Sequence, residues 1–216
     1  MSQPPPRGRL VTLEGGEGAG KSTQARKLAA WLVGRGLKVD VTREPGGSPG
    51  AEEIRALLVT GAPGRWDPLS ELLLHYAARR DHLVRRILPA LEAGTWVVCD
   101  RFLDSTLAYQ GYGLGVPLDT IASVRHAVLG GFAPDLTVIL DVAPEAGKAR
   151  IARRPGGEDR YERMGAAFHA RVRAGFSKIA AAEPERCAVI PANGPIDTVA
   201  ADIAAAVESR LEAVLP

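Results

Sequence analysis

Gly15-Gly16-Glu17-Gly18-Ala19-Gly20-Lys21-Ser22, followed by Thr23, decides how the rest of this chain is read. The stretch fits G-x-x-x-x-G-K-[ST], in which glycines let backbone N–H groups turn inward around phosphate oxygens. Before it, 9–14 is a short apolar run of strand type. After it, from Lys21 to about Arg35, apolar residues recur at helical spacing (Ala25, Leu28, Ala29, Leu32). Strand, loop and helix come in the order a triphosphate cradle requires, and the helix N-terminus adds its positive end. In such a cradle Lys21 is a mobile charge for the β- and γ-phosphates, and Ser22 offers its hydroxyl to Mg²⁺.

Working outward, apolar runs at 37–42, 96–99, 136–140 and 187–190 alternate with helical patterns at 52–59, 69–91, 119–129, 144–153, 162–182 and 196–215. Short buried runs between amphipathic stretches predict an α/β fold of P-loop NTPase type. Its five-stranded parallel sheet should carry helices on both faces, joined by right-handed crossovers. The 216 residues, 46% hydrophobic and 24% charged, suit one domain over 9–216 behind a loose, proline-rich tail at 1–8. A net charge of +2 is too small to argue for nucleic acid, and no apolar run approaches the roughly 18 residues of a membrane span. Cys99 and Cys187 sit in strand-like runs and read as buried thiols, not as a disulfide or zinc site. The expectation is a cytoplasmic protein acting on small molecules.

Val97-Val98-Cys99-Asp100-Arg101 places an acid at the C-terminal end of a buried strand, the edge where such sheets bind ligands. Asp100 either caps the next helix or joins Ser22 in organising Mg²⁺, and Arg101 is in reach of a phosphate. Asp141, after the fourth strand, has no arginine beside it and reads as structural. Arg150, Arg153, Arg154, Arg160 and Arg163 surround Pro155-Gly156-Gly157. That run is either a solvated helix face or a lid at about 153–162, whose closure would exclude water and neutralise charge on a transferred group.

Taken together, Leu13 to Gln24, Thr42-Arg43-Glu44-Pro45-Gly46-Gly47, Glu71 to Arg79, Asp100 to Gly111 and Asp159-Arg160-Tyr161-Glu162 resemble the thymidylate kinases, over nearly the whole chain. The resemblance implies transfer of the γ-phosphoryl of ATP to dTMP, with Mg²⁺ as cofactor, in a homodimer. It implies that Lys21, Arg101 and the lid arginines Arg153, Arg154 and Arg160 are catalytic, and that residues 15–23 hold ATP. It also implies that Glu17 meets the deoxyribose 3′-hydroxyl, and that Arg43, Glu44, Arg55 and Arg101 attend the acceptor nucleotide. Arg79 and Gln110 would meet the thymine edge, Thr106 would lie close to the base, and Tyr109 would crowd C2′. Gly18 is glycine where other members carry an arginine, so the lid must supply one.

His75 departs from the family's phenylalanine. It lies four residues before Arg79 on one helix face. It is expected to stack on thymine with a protonation-dependent charge, the alternative being a solvent or subunit face. His82, His126 and His169 read as surface or packing residues, and Arg150 as a neighbour of adenine. Other acceptors, a GTPase and a nucleic-acid motor are the rival readings. The Tyr109-Gln110 pair argues against a ribonucleotide, and the chain has no Asn-Lys-x-Asp guanine signature.

Overall fold

Six consecutive buried residues, Leu10–Gly15, form β1, the middle strand of a five-stranded parallel sheet. The computed structural model describes residues 7–152, 160–211 and 215. The other strands are β2 (Val39–Arg43), β3 (Trp96–Asp100), β4 (Leu136–Asp141) and β5 (Cys187–Pro191), in the order β2-β3-β1-β4-β5. From β1 the chain builds β2 and β3 on one side, then crosses to β4 and β5 on the other. The strand order therefore reverses at β1, and the crevice of such a sheet opens at the C-terminal ends of β1 and β3. Those ends carry the glycine-rich loop and Asp100-Arg101, with Leu13 in register with Asp100.

Alternation along the strands divides the interior. Val11, Leu13, Val98, Val138 and Leu140 face one side, against Leu28 and Leu32 of α1 (Lys21–Gly34) and Val199, Ile203 and Val207 of α9 (Ile196–Leu211). Leu10, Val97 and Cys99 face the other, against Leu72 and Tyr76 of α3 (Pro68–His82) and Ile121 of α6 (Leu118–Leu129). On that second face the pattern turns polar toward the strand ends. Thr12, Glu14 and Thr137 are completely buried there, and the Thr12 and Thr137 hydroxyls meet at 2.9 Å.

α3 starts where its sequence requires. Asp67 accepts hydrogen bonds from the Leu69 and Ser70 N–H groups, and Pro68 occupies the first turn. The helix expected at 69–91 is interrupted by a π-helical turn, Leu83–Ile87, before α4 (Leu88–Glu92) completes it. α2 (Pro49–Val59) packs beside α3, α8 (Ala166–Ala182) packs on β4 and β5, and α7 (Pro144–Ala152) packs on α8.

Two elements differ from the sequence reading. Residues 103–113 form helical turns, α5 (Leu103–Thr106) and a π-helical segment Leu107–Gly113. Ser105, Thr106, Ala108, Tyr109, Gln110 and Gly111 there are all buried, so the stretch has no polar face to betray a helical period. α8 begins at Ala166 instead of 162, because 160–164 is a packed turn. At the N-terminus the packed body reaches back to Gly8. Its N–H donates to the Leu91 carbonyl at 2.8 Å, and a Cβ there would lie 2.0 Å from the Thr95 carbonyl oxygen. Among the described residues no helix is long and apolar enough to cross a membrane.

Candidate active site

A cleft of about 620 Å³ runs along the C-terminal edge of the sheet. One end is walled by the loop and by α1, the other by α3 and the 103–113 turns. Of the residues singled out from sequence, Glu17 to Thr23, Arg43, Glu44, Arg55, His75, Arg79, Asp100, Arg101, Thr106, Tyr109 and Gln110 all line it. Gly15 and Gly16 lie just behind, and Gly15 has a φ of 132°, where a Cβ would lie 2.4 Å from the Leu140 carbonyl oxygen. Arg153 and Arg154 fall outside the described residues.

At the loop end, Lys21 folds back on its own cradle, its Nζ donating to the Gly16 and Gly15 carbonyls at 2.8 and 3.2 Å. Burial, and then Arg101, push its pKa down. Ser22 donates its hydroxyl hydrogen to Asp100 Oδ2 at 2.5 Å. Gly18 has a φ of 71°, and a Cβ on it would lie 2.2 Å from the Gly147 carbonyl oxygen of α7, so no side chain fits there. Arg150 reaches the same corner, donating to the Ala192 carbonyl at 2.8 Å, and lines the cleft. Asp141, read as structural, is ion-paired to Arg173.

Arg101 is the hinge of the site. It is the single non-glycine residue with positive φ among the described residues, at 72°. An L-residue is held there only when its surroundings over-determine it. Its N–H donates to the Leu13 carbonyl at 2.9 Å, and its guanidinium contacts Glu17 (2.6 Å), the Tyr109 hydroxyl (3.0 Å) and Ser105 Oγ (3.1 Å). Burial alone would raise the Glu17 carboxyl, but Arg101, Lys21 and the Tyr109 hydroxyl override it and hold its pKa at about 2.

Three buried glutamates support the rest. Glu14 accepts from the Phe102 and Ser105 N–H groups and from the Ser105 hydroxyl, which in turn contacts Arg101. Burial, and then Asp104 nearby, push the Glu14 carboxyl up to about 7. Glu44 accepts from Arg79 Nε at 2.7 Å and faces His82 Nδ1 at 3.0 Å, while His82 Nε2 meets the Thr42 hydroxyl at 2.8 Å. Arg79 also donates to the Thr106 hydroxyl and the Phe102 carbonyl. Glu71 accepts from Gln110 Nε2 (2.8 Å) and the Tyr161 hydroxyl (2.9 Å) and is ion-paired to Arg160 at 2.5 Å.

The structure revises several sequence readings. Arg160 is not a surface lid arginine: it is 2% exposed, committed to Glu71, and its Nε donates to the Leu58 carbonyl. Tyr161 is buried as well, so the expected mobile segment has a fixed C-terminal end. His82 is neither a surface nor a mere packing residue, being fully buried within the Glu44 network. His75 faces neither solvent nor a neighbouring subunit; it lines the cleft with its Nε2 2.7 Å from the Tyr161 hydroxyl. Burial, then Arg79, Arg160 and Arg101, hold its pKa well below the ordinary value, so the expected change of charge near neutrality is absent. Glu44 lines the cleft with its carboxylate bonded to Arg79 and His82. Glu14, Glu71, His82, Ser105 and Tyr161 join the site through the structure alone. Glu71, His75, Arg79 and His82 are spaced 4, 4 and 3 residues apart on α3, a polar stripe on a buried helix face that the sequence displays.

The family model for thymidylate kinase matches residues 13–203. Thymidylate kinase of Caulobacter vibrioides is 55% identical over 204 residues, covering 94% of this chain and 98% of its own. That of Dinoroseobacter shibae is 52% identical over 205 residues, covering 95% and 97%. The crystal structure of thymidylate kinase from Ehrlichia chaffeensis superposes with a TM-score of 0.73 at 37% identity, covering 94% of this chain and 99% of that one. A match over almost all of each chain, with the loop, the strained arginine and the buried carboxylates converging on one cleft, leads to one conclusion: the chain belongs to the thymidylate kinase family, whose members phosphorylate dTMP to dTDP with ATP.

Proposed function

We propose that the cleft binds ATP over residues 15–23 and dTMP between α3 and the 103–113 turns, and that the two phosphate chains meet at Lys21 and Arg101. An oxygen of the dTMP phosphate attacks the γ-phosphorus in line, forming the new P–O bond as the bond to the β-phosphate oxygen breaks and ADP leaves. The nucleophile is already anionic, so positioning and charge neutralisation carry the rate. Lys21, Arg101 and the lid arginines Arg153 and Arg154 supply positive charge. Arg43 and Arg55 attend the acceptor phosphate, Glu17 meets the 3′-hydroxyl, and Tyr109 crowds C2′. Arg150 flanks adenine. For Arg160, pairing with Glu71 supports a role in building the base pocket in place of contact with the transferred group.

Ser22 and Asp100 fit a hard cation. Both offer oxygen, they touch at the mouth of the loop, and no cluster of three or more His, Cys, Asp or Glu among the described residues would hold a metal by itself. That is the donor set of Mg²⁺ bound mainly by phosphate and water, which would draw charge off the phosphates.

One observation carries the choice of acceptor. Gln110 Oε1 is buried in the cleft wall without a hydrogen-bond partner, and the Arg79 side chain lines the same cleft. An acceptor and a donor lining one cleft suit the N3–H and O4 edge of thymine and leave cytosine mismatched. A coupled ADP-release assay with dTMP, dUMP, UMP and dCMP tests this. We expect dTMP to be preferred, dCMP to be rejected most strongly, and dUMP, which lacks only a methyl group, to lose about 10–200-fold. Equal kcat/KM for dCMP and dTMP would sink the reading.

A homodimer is supported by Leu69 and Leu73, exposed one turn apart on α3. A cytoplasmic location is supported by two buried, unpaired cysteines.

A further inference from the structure

The Gln110 side chain is a primary amide, and which of its ends faces the cleft decides which nucleobase edge it matches. We infer that Glu71 fixes that choice: it is the positioning residue that turns the Gln110 carbonyl toward the base and so selects a ring N–H, as in thymine, over the bare ring nitrogen of cytosine. The inference rests on the proposed contact between Gln110 and the base.

Glu71 does not line the cleft and is 1% exposed, so it touches no substrate. Among the described residues, the groups bonded to it are all donors. Oε1 accepts from Gln110 Nε2 and from the Tyr161 hydroxyl, and Oε2 is paired with the Arg160 guanidinium. A carboxylate has no proton to give, so the amide presents its NH₂ to Glu71 and is left with Oε1 for the cleft. That atom is the one found buried and unpartnered. The opposite orientation would set the amide oxygen against the carboxylate with no hydrogen between them. The same logic runs one step further along the wall. The Tyr161 hydroxyl hydrogen goes to Glu71, so His75 donates its Nε2–H to the Tyr161 oxygen. Proton direction along this wall is thus set by one carboxylate that lies behind it.

Replacing Glu71 by glutamine removes the constraint while keeping the shape. Two facing amides hydrogen-bond equally well in either of two senses, and Gln110 is then free to offer NH₂ to the N3 of cytosine. In Glu71→Gln we expect the ratio of kcat/KM for dTMP to that for dCMP to fall about tenfold or more, mainly through faster use of dCMP. An unchanged ratio in the folded variant overturns the inference. Because Arg160 loses its anionic partner in that variant, Glu71→Gln/Arg160→Met is made alongside it and should show the same fall. Tyr161→Phe removes a neighbouring bond but leaves the Glu71–Gln110 pair, so its ratio should stay at the wild-type value. A fall matching that of Glu71→Gln would mean general loosening of the wall and would also overturn the inference. Gln110→Ala separates the two levels. If it leaves the dTMP KM and the ratio unchanged, the base contact itself is wrong. If it lowers the ratio while Glu71→Gln does not, only the role of Glu71 fails.

Discussion

The two ends of the cleft are built from different material. The loop end is main chain: eight consecutive residues whose glycines clear the backbone, with Lys21 folded onto their carbonyls. The acceptor end is side chain. Arg79, Gln110 and Arg101 come from three segments, and each is held in place by a buried glutamate, Glu44 directly, Glu71 directly and Glu14 through Ser105. A backbone cradle tolerates little at its glycines but needs no outside support. A side-chain pocket gains selectivity from long donors, and those donors have to be anchored by carboxyl groups taken out of water. The cost of burying Glu14, Glu44 and Glu71 falls on stability; under the proposed function the gain is in specificity.

Four variants test that contrast. The largest effect is expected at the loop end, where Lys21→Ala should lower kcat by about 10²–10³, measured at saturating ATP and dTMP. Near-normal turnover would remove the loop from the chemistry. At the acceptor end, Glu44→Ala strands the Arg79 guanidinium and unpartners His82. It should cost about 3–5 kcal/mol in denaturant unfolding and raise the dTMP KM far more than the ATP KM. Equal effects on both nucleotides would erase the distinction between the two ends.

The third variant uses pH. The Glu14 carboxyl is raised from 4.5 to about 7, so the folded protein holds a proton that the unfolded chain has released. Stability from this group is therefore present below about pH 4.5 and falls as pH rises toward about 7. Glu17, lowered to about 2, works in the opposite sense, losing its contribution as pH falls from 4.5 toward 2. Glu14→Gln should flatten the decline between pH 5 and 7, read as the midpoint of chemical unfolding, and leave the acid limb in place. An unaltered slope would show that Glu14 does not titrate there. The smallest effect is expected for His75→Phe. His75 stays neutral, so the dTMP KM should move by no more than about threefold and the pH profile between 5.5 and 7.5 should keep its shape. A changed profile would restore a charged histidine to the pocket.

The same contrast explains what the sequence displayed. The cradle, the five strands and the Asp100-Arg101 edge are local patterns and were legible, each strand to within about two residues. Arg79, Tyr109 and Gln110 came from a resemblance and not from spacing. Glu71 and Gln110 are 39 positions apart, and nothing in their separation announces a pair. The positive φ of Arg101 leaves no mark on the letters, and the 103–113 turns were hidden because burial on every side erases amphipathic period. The stripe of Glu71, His75, Arg79 and His82 was the one signal that could have been taken further.

Gly18 and Gly147 stand where the loop and α7 touch, and that contact limits what either position can become. A Cβ on Gly18 would strike the Gly147 carbonyl, and a Cβ on Gly147 would come within 2.5 Å of the Glu17 carbonyl. Each missing side chain would strike the backbone of the facing segment, so neither position admits a larger residue while the loop and α7 keep this approach. An arginine cannot migrate from the helix side of the cleft into the loop by any single substitution, because the intermediate has no room. A combinatorial library over 18 and 146–148, selected for growth on the enzyme's activity, should return Gly18→Arg only in company with a displaced α7, and never by itself. The close approach of the loop and α7 is kept open by two hydrogen atoms where side chains would be.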